Sequence, residues 1–196
     1  SNVLIQSSIN SFGSIAMAGS TASANVEGFV YNAMNAVYQT ALSFTSQNYG
    51  AGKMNRVTKI LLYCLGLVVM VGAVMGGGAV LIGPKLLQIY SSDPEVISYG
   101  MMRMRIINGS YFLCGIMDTM VGGLRGLGYS VVPMLVSLTG ACLFRVVWIF
   151  SVFAMHRTLT TLYISYPVSW IITFTAHIIC YIVIRKRIAA RRKPRD

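Results

Sequence analysis

Six titratable side chains lie within long uncharged stretches of the sequence: Glu27, Arg103, Arg105, Asp118, Arg145 and His177. A charged side chain at the middle of a bilayer costs about 2.5–3.5 kcal/mol on insertion scales, so each needs a partner, a wet cavity or a nearby interface. At about 1.5 Å of rise per residue, Glu27, Arg103, Arg105 and Arg145 share one half of the chain's helices, roughly 10–15 Å from its end. Glu27 is therefore expected to be held ionised by one of these arginines; the alternative is that the arginines snorkel outward and Glu27 merely satisfies them. Asp118 and His177 fall in the other half, at similar depths of about 8–11 Å, so a carboxylate–imidazole contact is possible. His177 equally reads as a satisfied packing residue, and Asp118 as a group solvated at a helix end. Arg125, seven residues beyond Asp118, is about 10 Å from it along a helix and out of direct contact.

A second constellation precedes these. Glu27, Tyr31, Met34, Asn35 and Tyr38 recur at helical spacing on one face, with Asn25, Asn32 and Gln39 on the neighbouring one. Lipid does not favour such a surface, so it should face a bundle or a cavity. Tyrosine and methionine beside one carboxylate suit flat, amphipathic cations. Tyr31, Asn32, Met34, Asn35, Tyr38 and Gln39 are accordingly candidate walls of a substrate cavity, with interhelical hydrogen bonding as the plainer use. Glu27 and Asp118 are the two acids with a candidate titrating or other functional role, with Arg103, Arg105, Arg145 and His177 as their charge partners.

The elements that carry these residues follow from composition. Of 196 residues 55% are hydrophobic and only 11% charged, with a net charge of +11 and a mean hydropathy of +0.65. Soluble domains carry about 25% charged residues. No charge occurs from residue 1 to Val26, Gly28 to Gly52, Ile60 to Pro84, or Thr158 to Ile184. Each stretch is long enough to cross about 30 Å of hydrocarbon as a helix. A soluble domain is excluded, and nucleic-acid binding with it, since the bases are not gathered on a polar face. Barrel strands, which need short alternating runs, are absent.

Apolar runs and their breaks place six helices near 1–14, 20–47, 56–82, 95–123, 130–154 and 159–184, followed by a basic tail over 185–196. The fold class is an all-α membrane protein, a bundle of six transmembrane helices. Ser91-Ser92-Asp93-Pro94-Glu95 should cap the fourth helix, and Gly66, Gly72, Gly76, Gly77 and Gly78 should let neighbours approach the third. Lys53, Arg56, Lys59, Arg125 and the tail bases fall on one side of such a bundle, against Lys85 and Arg157 on the other. The positive-inside rule makes that richer side, with the C-terminus, cytoplasmic. Cys64, Cys114, Cys142 and Cys180 stand apart with no CxxC spacing, so metal and redox readings fail. The paired-acid, Ser/Lys or His/metal sets of an intramembrane enzyme are not visible either. The chain begins at Ser1 and enters an apolar segment directly, which reads as a fragment.

Gln47-Asn48-Tyr49-Gly50-Ala51-Gly52-Lys53, closing the second helix, resembles a motif of the multidrug and toxic compound extrusion (MATE) transporters. Gly123-Leu124-Arg125-Gly126-Leu127-Gly128-Tyr129-Ser130, after the fourth helix, resembles that family's second glycine-arginine loop. The resemblance spans the whole chain and implies the C-terminal lobe of a two-lobe, twelve-helix transporter, with the N-terminal lobe of the same chain as missing partner. It implies export of small cationic, amphipathic compounds by antiport against sodium or protons, with no other cofactor, from the plasma (inner) membrane. Related members use carboxylates on the first and fourth helices of this lobe for sodium; the first helix here carries no acid and the fourth carries Asp118, so the resemblance makes Asp118 and Glu27 the ion-coupling candidates. The alternative within the superfamily is a flippase of lipid-linked oligosaccharide or lipid, for which Arg103, Arg105 and Arg145 would supply a cationic cavity.

Overall fold

The computed structural model describes residues 2–191, and every element in them is helical. Helix α1 covers Asn2–Asn10 and α2 runs unbroken over Ser14–Gly50. Gly13, at φ 100°, separates them. The second helix therefore starts earlier than its polar N-terminal residues suggest, because alanines and serines cost a helix little when neighbours pack against them. Helix α3 spans Met54–Leu81, and a short α4, Gly83–Gln88, follows where no element was expected.

The expected fourth helix is two helices in series. Helix α5 covers Pro94–Ile107 and α6 covers Tyr111–Gly126, joined by one tighter 3-10 turn at Asn108–Ser110. Asn-Gly-Ser is weak helix-forming sequence, and Gly76 of α3 leaves room for the Asn108 carbonyl to bulge against it. The start is capped as expected: the Glu95 backbone N–H donates to the Asp93 carboxylate at 2.9 Å, with Pro94 in the first turn.

The expected fifth helix is helical throughout but wound in segments: α7 (Val131–Ser137), a π turn (Leu138–Leu143), α8 (Phe144–Trp148) and a second π turn (Ile149–Phe153). Gly140 in the first π turn sits directly against Thr173 of α9. Helix α9, Leu159–Arg191, continues past the expected end into the basic tail and contains Pro167. Of the tail bases, Arg192, Lys193 and Arg195 lie outside the described residues, while Arg185 donates to Thr58 Oγ1 at 2.9 Å.

The two glycine motifs are the same physical device. At the end of α2 the Lys53 N–H reaches the Asn48 carbonyl at 2.9 Å and Gly52 reaches Tyr49 at 3.0 Å. At the end of α6 the Tyr129 N–H reaches Leu124 at 3.1 Å and Gly128 reaches Arg125 at 2.9 Å. These are paired Schellman caps, which require a left-handed residue, and Gly52 (φ 75°) and Gly128 (φ 87°) supply it. Helices α2 and α6 run parallel and end at the same face, with Met34 against Gly115, Tyr38 against Gly122 and Thr45 against Gly126. Helix α3 lies antiparallel to α6, and a Cβ on Gly72 would fall 2.7 Å from the Phe112 Cα. Gly72 and Gly76 thus set the α3–α6 approach; Gly66, Gly77 and Gly78, expected to share that role, have nothing within 4 Å.

Helices α3, Val131–Phe153 and α9 are each long and apolar enough to cross a membrane by length and composition. Large apolar side chains stand outward around the bundle, among them Leu81, Tyr63 and Phe150. A belt of this size on the outside of a folded chain fits a lipid solvent. The molecule is a multi-pass membrane protein.

Candidate functional site

A cavity of about 580 Å³ opens between α1, α2, α5, α6, α8 with the π turn before it, and α9. Four of the titratable residues lie on its wall: Glu27, Arg103, Asp118 and Arg145.

Glu27 and Arg103 meet in a bidentate ion pair that joins α2 to α5. Arg103 Nε donates to Glu27 Oε1 and Nη2 to Oε2, both at 2.8 Å. Ser23, one turn before Glu27, donates to Oε1 at 3.1 Å, and Arg103 Nη1 donates to Ser20 at 2.9 Å. Both charged residues are only 7% exposed. The guanidinium also lies 5.6 Å from the Tyr163 ring centre and 5.9 Å from that of Tyr166. All three Arg103 nitrogens and both Glu27 oxygens are engaged, so the pair neutralises itself and closes the α2–α5 crossing.

Asp118 is different. It stands half-buried on α6 and shares the cavity wall with Tyr31 of α2. No ion pair to Asp118 forms among the described residues, where the one pair present is Glu27–Arg103. Arg125 donates instead to the Tyr38 hydroxyl at 2.8 Å, which ties the α6 cap to α2.

Arg145 on α8 is 7% exposed and has no carboxylate partner among the described residues. Its Nε donates to Ser169 Oγ at 2.9 Å, and its guanidinium stacks 4.1 Å from the Tyr166 ring centre and 5.9 Å from that of Trp170. The π turn before it changes the register of the expected fifth helix, and Ala141 of that turn joins Arg145 on the cavity wall.

Two expected charge partners are not assembled here. Arg105 is exposed on α5, away from the cavity. His177 is fully buried on α9, but its Nε2 faces the Pro133 carbonyl at 3.3 Å and Ser137 at 3.5 Å. The Asp118–His177 contact does not form, because the two residues share a depth but face different helices, α2 for Asp118 and α7 for His177.

The α2 face also divides. Tyr31 lines the cavity, whereas Met34 is packed into the core against Gly115. Tyr38 is taken by Arg125 and Asn35 is half-buried outside the cavity. Asn32 and Gln39 are exposed, Asn32 beside Tyr90 in a separate shallow depression. Among the cavity residues that sequence reasoning passed over, Tyr166 and Trp170 lie one turn apart on α9 around Pro167. Their spacing on one helical face beside a proline was the available signal.

A family model, MatE, matches residues 1–151. No curated protein sequence matches the chain significantly. Among solved structures, a mutant of the MATE transporter VcmN from Vibrio cholerae is 19% identical with a TM-score of 0.85, covering 94% of this chain and 42% of that one. The MATE transporter ClbM in complex with Rb+ is 18% identical with a TM-score of 0.79, covering 91% of this chain and 41% of its own. An inward-facing multidrug resistance MATE transporter of the MOP superfamily is 15% identical with a TM-score of 0.69, covering 93% of this chain and 44% of that one. The chain thus spans well under half the length of the solved transporters it matches. With the family model covering most of its residues and its helices superposing on one portion of those transporters, the chain belongs to the MatE family, whose members are transporters and not enzymes.

Proposed function

We propose that this chain is the C-terminal lobe of a secondary active exporter that moves small cationic, amphipathic compounds outward against sodium ions or protons. The carrying observation is Asp118: a carboxylate on the cavity wall with Tyr31, Tyr111 and Trp170, which forms no ion pair among the described residues. A carboxylate in that setting has unused acceptor capacity, so a proton or sodium ion competes there with a cationic substrate. Glu27 is the weaker coupling candidate, since neutralising it would leave the Arg103 guanidinium buried and unpaired. Rocking of two lobes about a fixed midplane site would convert that competition into exchange.

The flippase alternative draws less support. Of the three arginines it would need, Arg103 is neutralised by Glu27 and Arg105 lies outside the cavity. By the positive-inside rule the α2 and α6 caps and the basic end of α9 lie in the cytoplasm of a plasma-membrane protein.

The test is uptake of a cationic dye into inside-out proteoliposomes holding the full-length protein, with sodium and proton gradients imposed separately. One gradient should drive dye movement, and Asp118→Asn should reduce the driven component at least tenfold at unchanged protein content. Driven uptake by Asp118→Asn at the wild-type rate would overturn the assignment.

A further inference from the structure

The end of α1, the second π turn and the loop before α9 enclose a separate pocket of about 250 Å³, on the face of the bundle opposite the α2 and α6 caps. We propose that this pocket seats the head group of a phosphatidylethanolamine molecule. Arg157 takes the phosphate, the serines of α1 accept from the ammonium, and the acyl chains lie along the outward side of Val131–Phe153.

The pocket is amphiphilic in the same order as a phospholipid. Ser7, Ser8, Ser11 and Arg157 line it together with Phe150 and Phe153. The Phe12 ring, 6.1 Å from that of Phe153, ties the end of α1 to the π turn beneath it. From this rim Leu138, Leu143, Val147 and Phe150 stand outward along the helix, each more than half exposed. The exposed hydroxyls on the same stretch, Thr139 and Ser151, are turned onto their own backbone at 2.9 and 2.6 Å. A base and hydroxyls at the interface, running into an apolar strip, follow the profile of a lipid leaflet. The exposed side of α2 is of the opposite kind, with Asn25, Asn32 and Gln39. That polar side suits water or another protein surface; the strip on Val131–Phe153 suits acyl chains.

Hydrogen-bond direction selects the head group. Ser8 Oγ donates to the Leu4 carbonyl at 2.9 Å, and Ser11 Oγ donates to the Ser8 carbonyl at 2.7 Å. A hydroxyl has one proton to give and two lone pairs. With those protons spent on the backbone, both serine oxygens are acceptors. Arg157 only donates. Acceptors on one side and a charged donor on the other match an ammonium joined to a phosphate. Methylated choline has no N–H to offer, and a glycerol hydroxyl makes a weaker bond than a charged donor. Helix α1 also stands between two sites, because its Asn2, Ile5 and Gln6 line the large cavity. A lipid in the pocket braces that cavity wall from the membrane side.

The test is native mass spectrometry of the full-length protein, delipidated in detergent. It is titrated with dioleoyl phosphatidylethanolamine, phosphatidylcholine, phosphatidylglycerol and diacylglycerol. Wild type should bind the ethanolamine lipid about tenfold more tightly than the choline lipid, as hydrogen bonds from a charged group give. Diacylglycerol should not bind at those concentrations. Arg157→Gln should weaken both of these phospholipids about tenfold and keep their ratio, as loss of a charged hydrogen bond to the shared phosphate gives. Ser8→Ala with Ser11→Ala should bring the ratio close to one and leave choline-lipid binding as in wild type. None of these three residues is buried, so the variants should fold. Lys85→Gln removes a base from the same face outside the pocket and should change nothing. Choline or glycerol lipid bound by wild type as tightly as the ethanolamine lipid overturns the head group before any variant is made. Diacylglycerol bound equally well overturns the phosphate contact. Equal losses from Lys85→Gln and Arg157→Gln would trace the effect to general surface charge and overturn the site. Release of the lipid by inorganic phosphate would make the pocket a free-phosphate site and overturn the lipid.

Discussion

Arg103 and Arg105 stand two residues apart on α5, which turns them about 200° from each other. That angle decides their fates: Arg103 closes on Glu27, and Arg105 points outward. Depth along a helix was legible from the sequence and brought Glu27 near three arginines; azimuth was not, because it depends on how each helix is rotated against its neighbours. The same limit explains His177, correctly deep but turned to Pro133. The Glu27–Arg103 pair carries a stability prediction. Arg103→Leu leaves a buried, unpaired carboxylate and should destabilise the folded protein by about 3–5 kcal/mol. Adding Glu27→Leu should restore most of that loss, since an apolar pair in a buried site is often as stable as the ion pair it replaces. Arg105→Leu should change little. Thermal unfolding of the three variants in one detergent checks this. A double variant no more stable than Arg103→Leu would mean that the pair itself, and not the orphaned charge, holds α2 to α5.

At the scale of elements, hydropathy located the helices and missed their internal breaks. An apolar run reads the same whether its backbone winds as α, 3-10 or π turns, so nothing in 130–154 announced the π turns at Leu138–Leu143 and Ile149–Phe153. The break at Asn108–Ser110 had a weak signal in Asn-Gly-Ser, but it is fixed by Gly76 on another helix. The caps at Gly52 and Gly128 were readable as motifs because their requirement is local: a positive φ that a side chain resists. Glycines within α3 look alike in sequence yet differ in packing, and that difference is testable. Gly72→Ala places a methyl 2.7 Å from the Phe112 Cα, so α3 and α6 must separate, at a cost of about 1–3 kcal/mol. Gly66→Ala meets open space and should be neutral or stabilising by up to about 1 kcal/mol. Parallel melting curves distinguish them, and equal effects would show that α3 does not approach α6 so closely in the membrane.

For the whole molecule, charge asymmetry fixes the expected direction of insertion. Helices α2 and α6 are parallel and end in matching caps, so Lys53 and Arg125 share a face. The basic end of α9 joins that face through Arg185, whose guanidinium reaches Thr58 near the start of α3. Lys85 on α4 and Arg157 before α9 belong to the opposite face. Retaining the richer cluster of bases on the cytoplasmic side is favoured both by insertion bias and by anionic lipid, at about 1 kcal/mol per base near the surface. Single cysteines in a full-length protein freed of its own cysteines read this out. Arg187→Cys and Arg56→Cys should resist a membrane-impermeant maleimide in intact cells and react once the membrane is inverted. Lys85→Cys and Arg157→Cys should react in intact cells. The reverse pattern would invert the lobe and place the cavity mouth and its Asp118 against the opposite gradient, whereas equal labelling from both sides would mean that these helices do not insert as one bundle.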